Sequence, residues 1–190
     1  MWPPYDEWRM EPLAIVIPLR DFAEGKSRLR RAGVDDVERL IQDWAGAVIE
    51  ASRPRPTFVA CESPLVAAFA REHGAQVILS NARGLNAAVT HAHRVLARDY
   101  GAVMVTHGDL RQPRGLGHYA PPAPVTIVAD HHGTGTNVLV VPGSADFTFA
   151  FGVDSAKRHA SEATRLGLRW EVTYSSEWSF DIDEIDDLTP

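Results

Sequence analysis

The chain has 190 residues, a length typical of one domain, with 45% apolar and 23% charged residues, as in an average soluble protein. Its net charge of −6 argues against nucleic-acid binding, and its single cysteine excludes an internal disulfide framework. No apolar run approaches the roughly 18 residues of a membrane span. The N-terminus lacks a signal-peptide pattern, so we expect a cytoplasmic, single-domain protein (1–190) with an N-terminal extension over 1–12.

Apolar runs and amphipathic stretches alternate along the chain. Short apolar runs predict strands over 13–18, 57–61, 75–80, 102–109, 125–130 and 136–142, then an edge strand over 147–152 and closing strands over 168–174 and 178–183. Helical spacing predicts helices over 34–51, 64–73, 84–100 and 154–166, the last with Asp154 as N-cap. This alternation predicts βαβ units and an α/β fold with a mostly parallel mixed sheet flanked by helices.

Three aspartates near the carboxyl ends of predicted strands suggest a cation site. Ligands of open α/β sheets bind beyond those ends, where the strand order reverses. Asp181 and Asp183 would share one face of an extended chain, where two carboxylates repel by roughly 2.5 kcal/mol at an effective dielectric near 20. Asp109 could supply a third carboxylate, and Mg²⁺ prefers such oxygens. The pattern favours a magnesium site over a merely solvated acidic C-terminus.

The basic segment Gly-Lys-Ser-Arg (25–28) follows the first predicted strand. It is not a P-loop, because the Walker spacing requires a glycine where the chain has Arg20. Lys26 and Arg28 could hold phosphate oxygens through charge-assisted hydrogen bonds. The alternative is a basic surface cluster without a ligand.

Two glycine-containing segments are candidates for anion binding. Backbone N–H groups of a glycine-rich loop can form a concavity for an anion, here around Gly133, Gly135, Thr136 and Asn137. Gly152 and Ser155 could form a second site, because a helix N-terminus presents free N–H groups and partial positive charge. For Ser155, simple stabilisation of the helix is the alternative.

Eight histidines raise the question of a zinc site. His107 with Asp109, and the adjacent His131 and His132, could chelate a transition metal, but no spacing matches a strong zinc signature. A zinc hydrolase that uses His107, Asp109 and His132 therefore stays an alternative.

Taken together, the motifs resemble the family of 2-phospholactate and phosphoenolpyruvate guanylyltransferases of coenzyme F-420 biosynthesis. The resemblance runs from about Ala14 to Leu188 and rests, in order, on IVIPLRDFAEGKSRL, GLNAAV, VTHGDL, ADHHGTGTNVLVV, FAFGVDSAKRHASEA and FDIDEIDDL. It implies a single-domain, Rossmann-like nucleotidyltransferase fold of the GT-A type. It also implies a reaction that joins a phosphorylated three-carbon acid to GTP and releases pyrophosphate. The acid would be phosphoenolpyruvate, 2-phospholactate or 3-phosphoglycerate.

The resemblance also implies roles for individual residues. The Mg²⁺ ligands would be Asp109, Asp181 and Asp183, and the catalytic residues Lys26, Asp109 and Asp183. The acid's phosphate and carboxylate would be held by Thr136, Gly152 and Ser155. Further substrate contacts would come from Asn86 in the GLN segment and from His159 in the FG-x-x-S-x-x-x-H segment.

The chain departs from the family pattern at several positions. Gly108 and Arg111 stand where alanine and proline are usual, His131 where arginine is usual, and Glu184–Ile185 where Thr-Pro is usual. The segment after Asp109 is short and proline-rich where a helix is expected. These departures leave the acid open. The alternatives are a molybdenum-cofactor type of GT-A-like nucleotidyltransferase, although its GGxSxRMG-like loop is missing, and a non-catalytic nucleotide-binding module. A homodimer is possible.

Overall fold

The computed structural model describes residues 12–80, 83–183 and 185–188. Seven strands lie within them: β1 (Leu13–Pro18), β2 (Thr57–Cys61), β3 (Gln76–Leu79), β4 (Ala102–Thr106), β5 (Val125–Ala129), β6 (Thr136–Pro142) and β7 (Trp170–Thr173). The α-helices of the same ranges are α1 (Ser27–Arg31), α2 (Val37–Ala51), α3 (Pro64–Glu72), α4 (Leu85–Leu96) and α5 (Ser155–Arg165).

The strands form one mixed sheet in the order β3-β2-β1-β4-β6-β5-β7. β1 pairs in parallel with β2 and β4, β2 with β3, and β5 with β7, whereas β6 runs antiparallel to β4 and β5. The chain moves outward from β1 to β3 and then returns to β4 on the other side of β1. The strand order therefore reverses between β1 and β4, where a ligand site is expected.

Helices cover both faces of this sheet. On one face, Ile15 and Ile17 of β1 belong to a core that includes Val48 and Ile49 of α2. On the other face, Val16 belongs to a second core formed with α4 and α5. All of these side chains are buried, and each contributes about 1.5–3 kcal/mol through burial. The predicted α/β fold with a mostly parallel sheet is confirmed.

Several predicted boundaries were wrong for local reasons. α2 begins at Val37, not at residue 34, because Asp36 adopts a left-handed φ of 53° that cannot belong to a helix. β4 ends at Thr106, three residues before the predicted end. α1 lies between the first predicted strand and the first predicted helix, where no element was predicted. Its five residues include a single buried side chain, Leu29, and give no amphipathic period to detect.

The predicted edge strand over 147–152 does not form. Phe147, Phe149 and Phe151 are buried with more exposed residues between them, which is the alternation that suggested a strand. The segment 145–151 nevertheless pairs with none of the seven described strands, and side chains accept three of its N–H groups instead. Thr148 N–H donates to Glu162, Ala150 N–H to His159 and Phe151 N–H to Asn86.

No helix within the described ranges is long and apolar enough to cross a membrane. The cytoplasmic location and the possible homodimer stay predictions. The predicted N-terminal extension over 1–12 falls, except for Pro12, outside the described residues, as does Glu184.

Candidate active site

Two adjoining clefts open at the carboxyl ends of β1 and β4. The acidic cleft has a volume of about 390 Å³ and is lined by 18–21, 24–28, Ile41, Leu85, 107–109, Asp181 and Asp183. The larger cleft, of about 500 Å³, is lined by 18–20, Glu24, 60–62, Ser80, 83–85 and Ala88. Because both clefts include residues 18–20, Glu24 and Leu85, they form one continuous groove along this edge.

A short backbone pairing brings Asp109 and Asp181 together. The predicted strand over 178–183 is reduced to one antiparallel bridge between Leu110 and Asp181. Around it, Arg111 N–H donates to the carbonyl of Phe180 at 2.9 Å, and Ile182 N–H donates to that of Asp109 at 3.1 Å. Proline has no N–H, so the arginine at position 111 is what permits the first of these bonds.

His107, Asp109 and Asp181 form a group that fits a cation. Each offers one ligand atom, and these three atoms lie within 4.8 Å of one another. Nε2 of His107 is buried and has no hydrogen-bond partner among the described residues. Burial, followed by repulsion from Asp109, raises the pKa of Asp181, as expected for a carboxylate that lacks a counter-ion. The donor set therefore suits a divalent ion.

Lys26 lies between two aspartates of the acidic cleft, Asp109 and Asp183. Its ammonium group contacts Asp109 and donates a 2.7 Å hydrogen bond to Asp183. Burial opposes both charges, yet the attraction between them raises the pKa of Lys26 and lowers that of Asp183. Asp183 lies outside the three-residue cation group and is 4.0 Å from exposed Arg28. Its predicted role as a Mg²⁺ ligand stays a prediction.

The loop that carries Lys26 is fixed by backbone conformation and by a neighbouring arginine. Lys26 adopts a left-handed φ of 53° immediately before α1. The Arg30 guanidinium donates to the carbonyls of Gly25 and Phe22 at 3.0 and 2.8 Å. Gly108 leaves room for the Leu19 side chain, which a Cβ at this position would meet. The groove thus has a defined wall on the β1 side.

The glycine-rich loop after β5 wraps around Asp130. The N–H of Gly133 donates to the carbonyl of Asp130, and the N–H of Thr134 donates to its carboxylate at 2.8 Å. A Cβ added to Gly135 would stand only 2.6 Å from the same carboxylate. The Gly133 N–H thus bonds within the loop itself, and the anion concavity around this segment stays a prediction.

Thr136, Ser155 and His159 form a buried hydrogen-bonded cluster. The Thr136 hydroxyl lies 3.0 Å from that of Ser155 and 3.1 Å from Nδ1 of His159. Nε2 of His159 accepts the Ala150 N–H at 3.0 Å, so this nitrogen carries no proton. Burial lowers the pKa of His159 to about 4. The cluster stands beside Gly152, whose φ of 121° favours glycine.

The start of α5 differs from the sequence-based expectation. Asp154 does occupy the N-cap position, but its side chain makes no capping hydrogen bond, and its φ of 55° is left-handed. The N–H of Ser155 donates to the carbonyl of Gly152, and the N–H of Ala156 to that of Thr134. These two donors are therefore committed to the protein.

Two asparagines predicted to bind substrate have partners within the protein. The Asn137 amide donates to the Trp178 carbonyl at 3.0 Å and reaches the Asp181 carboxylate at 3.4 Å. The Asn86 amide bonds both the N–H and the carbonyl of Phe151. Each asparagine thus positions a neighbour, and its direct contact with substrate stays a prediction.

The zinc-hydrolase set of His107, Asp109 and His132 does not assemble. Asp181, not His132, completes the group with the other two residues. His132 instead packs on His131 with ring centroids 3.7 Å apart, and His131 stacks on Phe180 at 5.1 Å.

The sequence analysis missed the polar wall of the larger cleft. Glu62 lies in it, and its place directly after β2 was the signal that could have revealed it.

The fold and the groove define a class of protein. A nucleotidyl transferase from Methanothermobacter matches with a TM-score of 0.65 at 13% identity, over 92% of this chain and 93% of the other. A protein of Desulfovibrio desulfuricans described as a nucleotide-diphospho-sugar transferase matches with a TM-score of 0.72 at 14% identity, over 93% and 84%. At such identities the likeness concerns the fold, which is that of the nucleotidyltransferases.

Sequence comparison identifies the family within that class. The model for the family described as "Guanylyl transferase CofC like" matches residues 13–190. The phosphoenolpyruvate guanylyltransferase of Chloroflexus aggregans is 31% identical over 93% of this chain and 95% of its own length. That of Roseiflexus castenholzii is 32% identical over 93% and 86%. The chain belongs to the CofC-like guanylyltransferase family and is a nucleotidyltransferase.

Proposed function

We propose that this enzyme transfers the guanylyl group of GTP to a phosphorylated three-carbon acid and releases pyrophosphate. The observation that carries the proposal is the acidic cleft, in which Lys26, Asp109, Asp181 and Asp183 meet where the strand order reverses. Among the three candidate acids we favour phosphoenolpyruvate, because the relatives reported above carry that substrate in their names. The product would belong to coenzyme F-420 biosynthesis.

The chemistry requires charge control more than proton transfer. An oxygen of the acid's phosphate attacks the α-phosphorus of GTP, a new P–O–P linkage forms, and the bond to the β-phosphate breaks. The attacking phosphate is already ionised at neutral pH, so no general base is needed. The difficulty is the approach of two polyanions, which positioning and positive charge overcome. Lys26 and Arg28 would supply part of that charge next to the phosphates.

A divalent cation would complete the site. Asp109 and Asp181 would hold it, and when bound it neutralises phosphate charge during the transfer. The sequence predicts Mg²⁺ for this position. The acidic residues would otherwise repel both substrates, because Lys26 is shared between only two of the three carboxylates.

The two substrates would occupy different places beside the carboxylates. The larger cleft, at about 500 Å³, has room for a nucleoside and adjoins the carboxylates. Its Glu24 and Glu62 carboxylates could accept the N1–H and the 2-amino group of guanine, which adenine does not present in that arrangement. The acid would lie on the opposite side, near Thr136, Gly152 and Ser155.

The reaction is testable with purified protein. We expect pyrophosphate release with GTP, Mg²⁺ and phosphoenolpyruvate, and slower release with 2-phospholactate, 3-phosphoglycerate or ATP in place of the matching substrate. Asp109→Ala should lower the rate at least about 100-fold, which corresponds to about 2.7 kcal/mol. Asp35→Ala, at an exposed position outside the groove, is the matched control.

The outcomes separate the alternatives. GTP binding without pyrophosphate release for any acid would identify a nucleotide-binding module and contradict the proposal. Full activity of the Asp109→Ala variant would remove this carboxylate from the mechanism. Circular dichroism of each variant checks that the fold is retained.

A further inference from the structure

His107 is placed as a ligand without a partner. It directly follows β4, and its N–H donates to the carbonyl of Asn137 at 3.0 Å, which extends the pairing of β4 with β6 by one bond. Its ring packs 5.8 Å from that of Phe151. The imidazole is thus held from two sides, while its buried Nε2 has no hydrogen-bond partner among the residues described. A buried nitrogen without a hydrogen bond destabilises the fold, so such a group calls for a function.

The two carboxylates beside this imidazole belong to segments that are paired through the backbone. Asp109 and Asp181 are fixed by the backbone bridge at Leu110, and their ligand atoms lie within 4.8 Å of a ring nitrogen of His107. Asn137 connects the two sides of the group. Its backbone carbonyl accepts the backbone N–H of His107, and its side-chain amide reaches the Asp181 carboxylate. A carboxylate has two oxygens with about four lone-pair sites, so Asp109 can accept from Lys26 and still bind an ion.

The donor set determines which ion is preferred. Mg²⁺ takes oxygen ligands and retains several waters, whereas imidazole nitrogen is a ligand of transition metals. We propose that His107 binds the cation of this site directly, and that the site therefore holds a divalent transition-metal ion such as Mn²⁺ more tightly than Mg²⁺. The inference rests on the proposed function only for the use of the ion, since the binding itself is a separate property.

Metal binding can be measured without turnover. The full chain is freed of metal and titrated with Mn²⁺ and, separately, with Mg²⁺, in the absence of nucleotide. We expect Mn²⁺ to bind at least tenfold more tightly than Mg²⁺. Pulsed electron paramagnetic resonance of the Mn²⁺ complex should show nuclear modulation from a directly bound ¹⁴N. In His107→Gln that modulation should vanish, Mn²⁺ affinity should fall at least tenfold, and Mg²⁺ affinity should change by less than threefold.

A second histidine variant controls for nonspecific effects. His91→Ala removes an exposed imidazole on α4 and should leave the modulation and both affinities unchanged. Bound Mn²⁺ without ¹⁴N modulation in the wild-type chain, equal affinities for the two ions, or no Mn²⁺ binding would each overturn the inference, and none of these readings needs a folded His107 variant. Modulation without guanylyl transfer in the assay above would leave the metal assignment in place and contradict the proposed function instead.

Discussion

His159 shows how one buried side chain joins the core to the predicted acid site. It is fully buried, its Nε2 accepts the N–H of Ala150, and its Nδ1 lies 3.1 Å from the Thr136 hydroxyl. Because Nε2 must accept, the neutral ring carries its proton on Nδ1 and can donate it to Thr136. Protonation of Nε2 would place two donors against each other and leave a charge buried. Burial of that charge lowers the pKa of His159 to about 4.

This pKa predicts how stability depends on pH. The unfolded chain binds the His159 proton with a pKa near 6.5 and the folded chain with one of about 4, so the unfolded state holds more protons between these values. The contribution of His159 to the free energy of unfolding is therefore fully present above pH 6.5 and is lost as the pH falls towards 4. Between pH 7.5 and 5 the free energy of unfolding should fall by about 2 kcal/mol from this group, with a smaller contribution of the same sign from His93.

Urea unfolding at several pH values measures this dependence. His159→Gln should be less stable at pH 7.5, because its hydrogen bonds are changed, but its stability should decline less steeply towards pH 5. The exposed His91 serves as the control, since His91→Ala should follow the wild-type curve. Parallel curves for the wild type and His159→Gln would contradict the buried-neutral description of this histidine.

At the scale of elements, the segment 145–151 shows where sequence patterns are ambiguous. Its alternating phenylalanines satisfy the criterion for a strand, and their burial follows that alternation. Periodicity reports which side chains face the core, but the partners of the backbone depend on residues far away in the chain. Here those partners are side chains of α4 and α5, so no strand forms.

Asn86 is the partner whose removal tests this arrangement. Asn86→Ala would leave the N–H and the carbonyl of Phe151 without their bonds, and the free energy of unfolding should fall by about 1–3 kcal/mol. Asn86→Asp keeps the acceptor for the N–H and should lose less. Ser161→Ala, exposed on α5, should be within about 0.5 kcal/mol of wild type by the same urea titration. Lost activity with unchanged stability in Asn86→Ala would instead indicate direct substrate contact.

At the scale of the whole molecule, the order of the strands in the sheet limited which features could be predicted from the sequence. Apolar runs and intervening helices were sufficient to predict the α/β class and to assign Asp109 to the carboxyl end of β4. Lys26 lies 157 positions before Asp183 in the chain. Its hydrogen bond to that carboxylate depends on the reversal of strand order between β1 and β4. The cation group and the larger cleft likewise arise from long-range packing, which spacing along the chain does not encode.

The sites proposed for the two substrates lie on different halves of the sheet, and this gives a prediction for the binding of each substrate. The larger cleft is formed by elements around β1, β2 and α4. Thr136 instead belongs to β6, Ser155 begins α5, and Gly152 lies just before that helix. A ligand that binds the folded state protects the backbone amides of the elements it closes on.

We therefore expect a non-hydrolysable GTP analogue with Mg²⁺ to slow hydrogen exchange over residues 18–28 and 83–88. Phosphoenolpyruvate alone should slow it over 133–137 and 150–156, and exchange followed by mass spectrometry of peptides resolves the two regions. If both ligands protected the same peptides, the two substrates would share one pocket and in-line transfer between the two halves of the sheet would be excluded.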